Sequence, residues 1–519
     1  RQMCIRDRFT TDTLVQGLCP QPRQVRLAKE RFPLPSVLTW AGPDEVTDAV
    51  TILAERLAPA LDIVRAPSHD ASLAVRLNPS LEAEGYRIEI DAKIRISAGS
   101  SHGARWAVQT LLQLLTPWVY GPGALAREHL CLPTGVIVDA PRYSWRGAHL
   151  DASRHFMPAS FIMKFLDVLA MHKLNRLHLH LTDDQGWRLP VPGWPRLTTV
   201  GAWRPGTVRG HQPPPDDNDC DDVTEHDHIP HGGAYTVDQL RAINERASMM
   251  GITIVPEIDL PGHTESVVAA YPALGCGIPV HHPRTAFGVS QHHINLTGSS
   301  LTFCRDALDA VMEVFPNSPI HIGGDECPGK EWFGHPATRA RLAGLGITTP
   351  HQAQAWFERQ ICDHLATAGR QVIAWDEVLE AGAPGEVTVM VWRDTDDIAR
   401  AAAAGHDVIA APARHTYLDH GIEAGPQAPV TIDAPMTMHD VAKLHDVLAA
   451  VNSPRLLGGQ FQLWTEYLRT PAQVEDAAFP RGTSIAEQLW TGNPARPLSD
   501  LEAQTPVSYT HLRAHETGR

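Results

Sequence analysis

From Pro141 onward, short apolar runs are followed again and again by amphipathic helical stretches. A parallel sheet with crossover helices on both faces gives that alternation, because its strands are buried on each side and read as near-continuous apolar runs. Candidate strands stand at Gly147–Ala152, Arg176–Thr182, Thr253–Asp259, Pro319–Gly323, Val372–Trp375, Thr388–Trp392, Asp407–Ala411 and Gly458–Leu463. Eight strand-then-helix units within residues 139–500 predict a (β/α)8 TIM barrel. Its outer ring would include Pro158–His172, where Phe161, Phe165 and Leu169 recur at helical spacing and Pro158 suits a first helical turn.

Residues 20–138 read differently. A helical pattern at Asp44–Leu57, strand-like stretches at Leu73–Leu77 and Tyr86–Ile96, and a helix at Ser101–Leu115 with Ala104, Ala107, Leu111 and Leu115 on one stripe predict a small α+β domain. It carries no obvious chemistry. The balance of 44 Lys and Arg against 59 Asp and Glu leaves a net charge of −15, which opposes binding to phosphate backbones or anionic lipid. Neither nucleic acid nor membrane is therefore an expected partner, and no run approaches the roughly 18 apolar residues of a membrane helix. None of the eight cysteines forms a CxxC pair, which argues against a zinc ribbon or a thioredoxin-type motif and leaves the redox compartment open.

The two ends are expected to be artefactual. Met3-Cys-Ile-Arg-Asp-Arg8 can be encoded by ATG TGT ATA AGA GAC AGx, and the reverse complement of that DNA reads Val-Ser-Tyr-Thr-His, which is Val507 to His511. Residues 1–8 and 507–519 thus resemble a translated sequencing adapter and are set aside from fold reasoning. A genuine start that is missing leaves localisation undecided between secreted, periplasmic and other fates. After Trp490 only Asn493 to Thr505 remain before the tail, so the barrel is expected to be truncated at its closing helix.

The site of such a barrel forms where the strands end at their C-terminal face. Those positions hold Asp151 and Arg154, Asp183 and Asp184, His263, Asp325 and Glu326, Trp375, Trp392, Tyr417 with Asp419, and Trp464 with Glu466. Asp325 and Glu326 follow Ile322-Gly323-Gly324 on a sharp turn, and crowding two acids raises at least one pKa toward neutrality, as a general acid requires. Flat aromatic walls beside carboxylate and Arg tips suit a sugar ring.

The same residues carry a resemblance. Leu150-Asp-Ala-Ser-Arg-His155, Lys173-Leu-Asn175, His178-Leu-His-Leu-Thr-Asp-Asp-Gln-Gly-Trp-Arg188, Pro256-Glu-Ile-Asp-Leu-Pro-Gly-His263 and His321-Ile-Gly-Gly-Asp-Glu326 look like the family 20 glycoside hydrolases, the β-N-acetylhexosaminidases. The likeness continues through Trp375, Trp392, Tyr417-Leu-Asp419 and Leu463-Trp-Thr-Glu466. Residues 20–138 resemble the small domain that precedes the barrel in that family.

The resemblance implies exo-acting hydrolysis of terminal β-linked N-acetylhexosamine by substrate-assisted, retaining catalysis through an oxazolinium, without metal or cofactor. It implies Glu326 as general acid/base and Asp325 as the group that holds the acetamido N–H. It further implies Tyr417 on the acetamido oxygen, a box of Trp375, Trp392 and Trp464 around the methyl group, and Arg154, Asp419 and Glu466 on ring hydroxyls. Asp183 and His263 would orient Glu326. The partners implied are N-acetylhexosamine-containing oligosaccharides or glycoconjugates. Arg393 to Leu463 lacks the further Trp that many relatives carry, so the contacts on the 6-hydroxyl side are open.

Two other classes compete. His178-x-His180, with His263 and His321, could assemble a metal-dependent hydrolase, although no carbamylated-lysine candidate or terminal metal-binding Asp sits at a matching strand. A catalytically dead sugar-binding module would have lost Asp325 or Glu326, and both are present. Trp187 and Trp332 read equally as substrate contacts or packing. Arg204 to Gly233, rich in Pro, Asp and His, reads as a solvated lid or mobile loop; its acids from Asp216 to Asp227 lack the glycine of a calcium loop.

Overall fold

The computed structural model describes residues 11–493 except 116, 122–124, 128–129, 212–224, 381, 423–424 and 426–427. Both adapter-like ends, and the acids from Asp216 to Asp222, lie outside the described residues.

Eight parallel strands close into a barrel: Trp145–Asp151, Arg176–His180, Thr253–Glu257, Ile320–His321, Val372–Trp375, Thr388–Val391, Val408–Ala410 and Leu456–Phe461, the eighth pairing back onto the first. Each overlaps an expected strand. The fourth is the shortest, because Gly323 and Gly324 turn the chain with φ of 69° and 97° directly after His321 and Ile322. A Cβ on Gly323 would stand 1.8 Å from Asp259 Oδ1, so only glycine fits that turn. The first outer helix runs Ala159–Met171, with Pro158 as N-cap rather than within the first turn. The eighth strand is followed by helix Arg481–Thr491, which packs against strands 1 and 8.

Ahead of the barrel lies a seven-stranded mixed sheet in the order Gln24–Pro33, Cys131–Asp139, Tyr86–Ile90, Ile94–Ala98, Leu73–Leu77, Val37–Ala41, Asp62–Arg65. The stretch expected as one strand from Tyr86 to Ile96 is a hairpin. Asp91 turns it, its carboxylate accepting from the Lys93 N–H at 3.0 Å. Helix Ser101–Gln113 buries the expected stripe, but also Trp106, Val108 and Leu112, because it is sandwiched between this sheet and the barrel.

The seam between the two units is polar and buried. Asp139 accepts from Lys173 Nζ (2.9 Å), Tyr86 Oη (2.6 Å) and Trp490 Nε1 (2.9 Å), drawing on three separate stretches of chain. Beside it, Arg146 Nη2 meets Glu84 at 2.6 Å and the guanidinium lies 4.9 Å from the Trp490 ring. Removing one partner of a buried pair strands the other charge. Lys173→Met is expected to lower unfolding free energy by about 3–5 kcal/mol in urea titration; a change within the error of wild type would show that the pair does not tie the seam.

Candidate active site

At the C-terminal ends of the strands a cavity of about 460 Å³ opens, lined by Arg154, His263, Asp325, Glu326, Trp375, Trp392, Tyr417, Asp419, Trp464 and Glu466. The expected site residues therefore line one cavity, except Asp183, which with Asp151 and Asp184 from the same strand ends is fully buried outside its lining.

Asp183 organises the floor. Its Oδ2 takes Arg154 Nη2 and His180 Nε2, each at 2.8 Å, and its Oδ1 takes His263 Nδ1 at 3.2 Å and the Asp184 N–H at 2.6 Å. Arg154 is further steered by Gln185 Oε1 at 3.2 Å and stacks 4.8 Å from the Trp464 ring. Burial opposes a charge on His263, yet Asp183, Asp184 and Glu326 outweigh it and hold the imidazole well above its usual range. His263 Nε2 then faces both catalytic candidates, 3.7 Å from Asp325 Oδ2 and 3.6 Å from Glu326 Oε2.

The two carboxyls do not shift together. The His263 imidazole, 3.6 Å away, lowers Glu326 against burial, while burial raises Asp325, with the Glu326 charge adding to it and His263 opposing it. The raised member of the pair is thus Asp325, and adjacency alone did not say which it would be. These directions bias the His263–Glu326 pair toward imidazolium and carboxylate, and a proton passed across it to Glu326 would leave the pair's proton count unchanged. Asp259 is buried close by, and burial first, then the Asp325 charge, raises its pKa. His263 and Glu326 both have positive φ, 50° and 46°, a left-handed conformation uncommon for residues other than glycine.

The aromatic wall is tied from behind. Trp375 Nε1 donates to Glu257 Oε1 at 2.9 Å and Trp392 Nε1 to Glu377 Oε2 at 3.2 Å. Trp375 and Trp464 stand 6.0 Å apart, Tyr417 and Trp464 6.3 Å, and Trp392 stacks on Tyr417 at 6.1 Å. At the far end both carboxylate oxygens of Asp419, one of Glu466 and one of Asp325 are buried without a protein partner. Burial pushes Asp419 and Glu466 upward in pKa. Buried acceptors left open in this way match donors supplied by a ligand, such as hydroxyl and amide groups.

Sequence reasoning missed Gln185, Phe287, Val289, Ile432, Asp433 and Tyr467, which complete the lining, as well as Glu257 and Asp259 below it. The loop residues carry no periodicity that could have exposed them. Trp187 and Trp332 are fully buried and donate to backbone carbonyls of Leu189 and Ile294, so both are packing residues. His180, central to the metal reading, is engaged by Asp183 through one ring nitrogen and by Glu257 through the other, so both nitrogens have carboxylate partners.

Residues 143–493 match the Glycosyl hydrolase family 20 catalytic domain, and residues 15–140 match domain 2 of that family. A β-hexosaminidase of Porphyromonas gingivalis is 34% identical over 96% of this chain, which spans 63% of that relative. One from Akkermansia muciniphila is 33% identical, with 80% of each chain covered. Among solved structures, the exo-β-N-acetylglucosaminidase of Vibrio harveyi in complex with N-acetylglucosamine superposes with a TM-score of 0.82 at 29% identity, covering 96% of this chain and 77% of that one. The Streptomyces plicatus N-acetyl-β-hexosaminidase in complex with Thio-NAglucal gives 0.80 at 27% identity, covering 97% and 96%. With a barrel of this topology, a carboxylate pair at its fourth strand and a match over most of its length, the chain belongs to glycosyl hydrolase family 20.

Proposed function

We propose that the chain removes terminal, non-reducing β-linked N-acetylhexosamine from oligosaccharides or glycoconjugates, with retention and with the substrate's own acetamide as nucleophile. The observation that carries the reading is the aromatic box of Trp375, Trp392, Tyr417 and Trp464 beside Asp325, whose Oδ1 is buried and open. In this reading Asp325 accepts the acetamido N–H, Tyr417 donates to the acetamido oxygen, and that oxygen attacks the anomeric carbon. Glu326 gives its proton to the departing glycosidic oxygen, then takes one from the water that opens the oxazolinium. The net positive charge of the ring intermediate falls beside the Asp325 carboxylate, where a fixed charge is worth most. Arg154, Asp419 and Glu466 hold ring hydroxyls at the blind end, which restricts cleavage to chain termini.

The test is a chromogenic β-N-acetylglucosaminide beside its β-glucoside, each with and without EDTA. Hydrolysis of the first, at the same rate in chelator, and none of the second is the expected result. Activity abolished by EDTA and restored by zinc would overturn the proposal in favour of the metal hydrolase.

A further inference from the structure

The mechanism above uses neither Glu257 nor the histidines around it, yet Glu257, His178, His180 and His321 form a fully buried cluster in the barrel interior. Glu257 ends the third strand with no solvent exposure. His178 Nε2 and His321 Nδ1 each lie 3.0 Å from its carboxylate, and His180 Nδ1 lies 2.5 Å from Oε2. Its two oxygens serve different ends of the site. Oε1 receives the Trp375 indole N–H, and Oε2 receives His180, whose opposite nitrogen is bonded to Asp183, which in turn holds His263 below Asp325 and Glu326.

The hydrogen-bond inventory fixes the charge along this line. An ionised carboxylate only accepts, so an imidazole bonded to one carboxylate through each nitrogen donates from both and is an imidazolium. Charges therefore alternate from Glu257 through His180 to Asp183, and Asp183 in turn holds His263 Nδ1, whose Nε2 faces Glu326 at 3.6 Å. The other titratable groups facing Glu257 are His178 and His321 from the neighbouring strands and Asp259 from its own turn; around His180 they are His149 and, across Asp183, Arg154.

We propose that Glu257 is a positioning residue that couples the acetamide box to the acid/base pair: one oxygen sets the Trp375 ring, and the other, through His180 and Asp183, sets how tightly His263 keeps the proton that Glu326 must deliver. The proposal rests on the roles of Trp375 and Glu326 given above. Without the Glu257 charge, His180 gives up a proton and Asp183 keeps Arg154 as its one remaining cationic partner besides His263. More of the Asp183 charge then falls on His263, which withholds the proton from Glu326. The indole loses its acceptor at the same time.

Neutron diffraction from deuterium-exchanged wild-type crystals reads the line directly: deuterium on both nitrogens of His180 is expected, and a singly protonated His180 would overturn the coupling. That measurement needs no activity, so it separates failure of this inference from failure of the proposed reaction, which a wild-type enzyme inert toward β-N-acetylglucosaminides would show. In kinetics, Glu257→Gln should lose about 10- to 100-fold in kcat/KM on an alkyl β-N-acetylglucosaminide, and clearly less on an activated aryl one. Its affinity for a thiazoline mimic of the cyclised intermediate should fall as well. His180→Gln should reproduce the leaving-group sensitivity alone and Trp375→Phe the weakened inhibition alone, so the two arms stay readable if Glu257→Gln does not fold. Lower thermal stability with wild-type leaving-group dependence and inhibition in these variants would make Glu257 a packing residue and overturn the proposal.

Discussion

Glu326→Gln is expected to lose roughly 10² to 10⁴-fold in kcat on alkyl and sugar leaving groups, and far less on aryl groups that depart without a proton. The amide keeps the volume and one acceptor but has no proton to give, so the defect follows the basicity of the leaving oxygen. Equal losses across a leaving-group series would remove Glu326 from the acid role. A pH signature accompanies the effect. The acid is present while the His263–Glu326 pair holds its shared proton, and Asp183 keeps that proton bound beyond the ordinary imidazole range. For poor leaving groups kcat/KM should therefore hold through neutrality and fall as pH rises past the upper pKa of the pair. The fall marks loss of the proton, so the branch should be missing in Glu326→Gln on activated aryl substrates.

Replacing the 2-acetamido group by hydroxyl should abolish turnover, an effect as large as losing the nucleophile outright. An enzyme carboxylate nucleophile would attack any β-glucoside that fits, whereas an internal acetamide leaves nothing to react once it is gone. Asp325→Asn should in turn lose kcat more than substrate affinity, because the contact to the acetamide strengthens as positive charge develops on the oxazolinium. The thiazoline mimic should inhibit strongly. Mass spectrometry after exposure to a 2-fluoro sugar decides the matter, since a glycosylated Asp or Glu peptide would replace this mechanism with an ordinary double displacement and leave the fold untouched.

The barrel was legible because parallel strands covered on both faces are continuous apolar runs, and the ends of such runs point to the rim. That is why Arg154, His263, Asp325, Tyr417 and Glu466 could be named together from a sequence in which they are widely separated. The hairpin at Asp91 was not legible, because the alternation of Tyr86 to Ile90 resumes at Ile94 in phase and the turn rests on local bonds of Asp91 to Lys93 and Arg95. Nor was the direction of the two carboxyl shifts, which depends on a histidine from a different strand end. His178 and His180 looked like buried, hydrogen-bonded histidines or metal ligands, and both are buried and hydrogen-bonded; that His180 links Glu257 to Asp183 depends on a carboxylate contributed by the neighbouring strand.

The seam at Asp139 changes what counts as a module in this chain. The two family matches meet between residues 140 and 143, which suggests a cut point for exchange of the front unit between relatives. The ion pairs do not respect that cut. Asp139, Tyr86 and Glu84 lie on one side of it, and Lys173, Arg146 and Trp490 on the other, the last from the final described helix. A recombined chain would inherit half of each pair, so the sheet and the barrel are bound to descend together or to acquire matched substitutions in all three stretches at once.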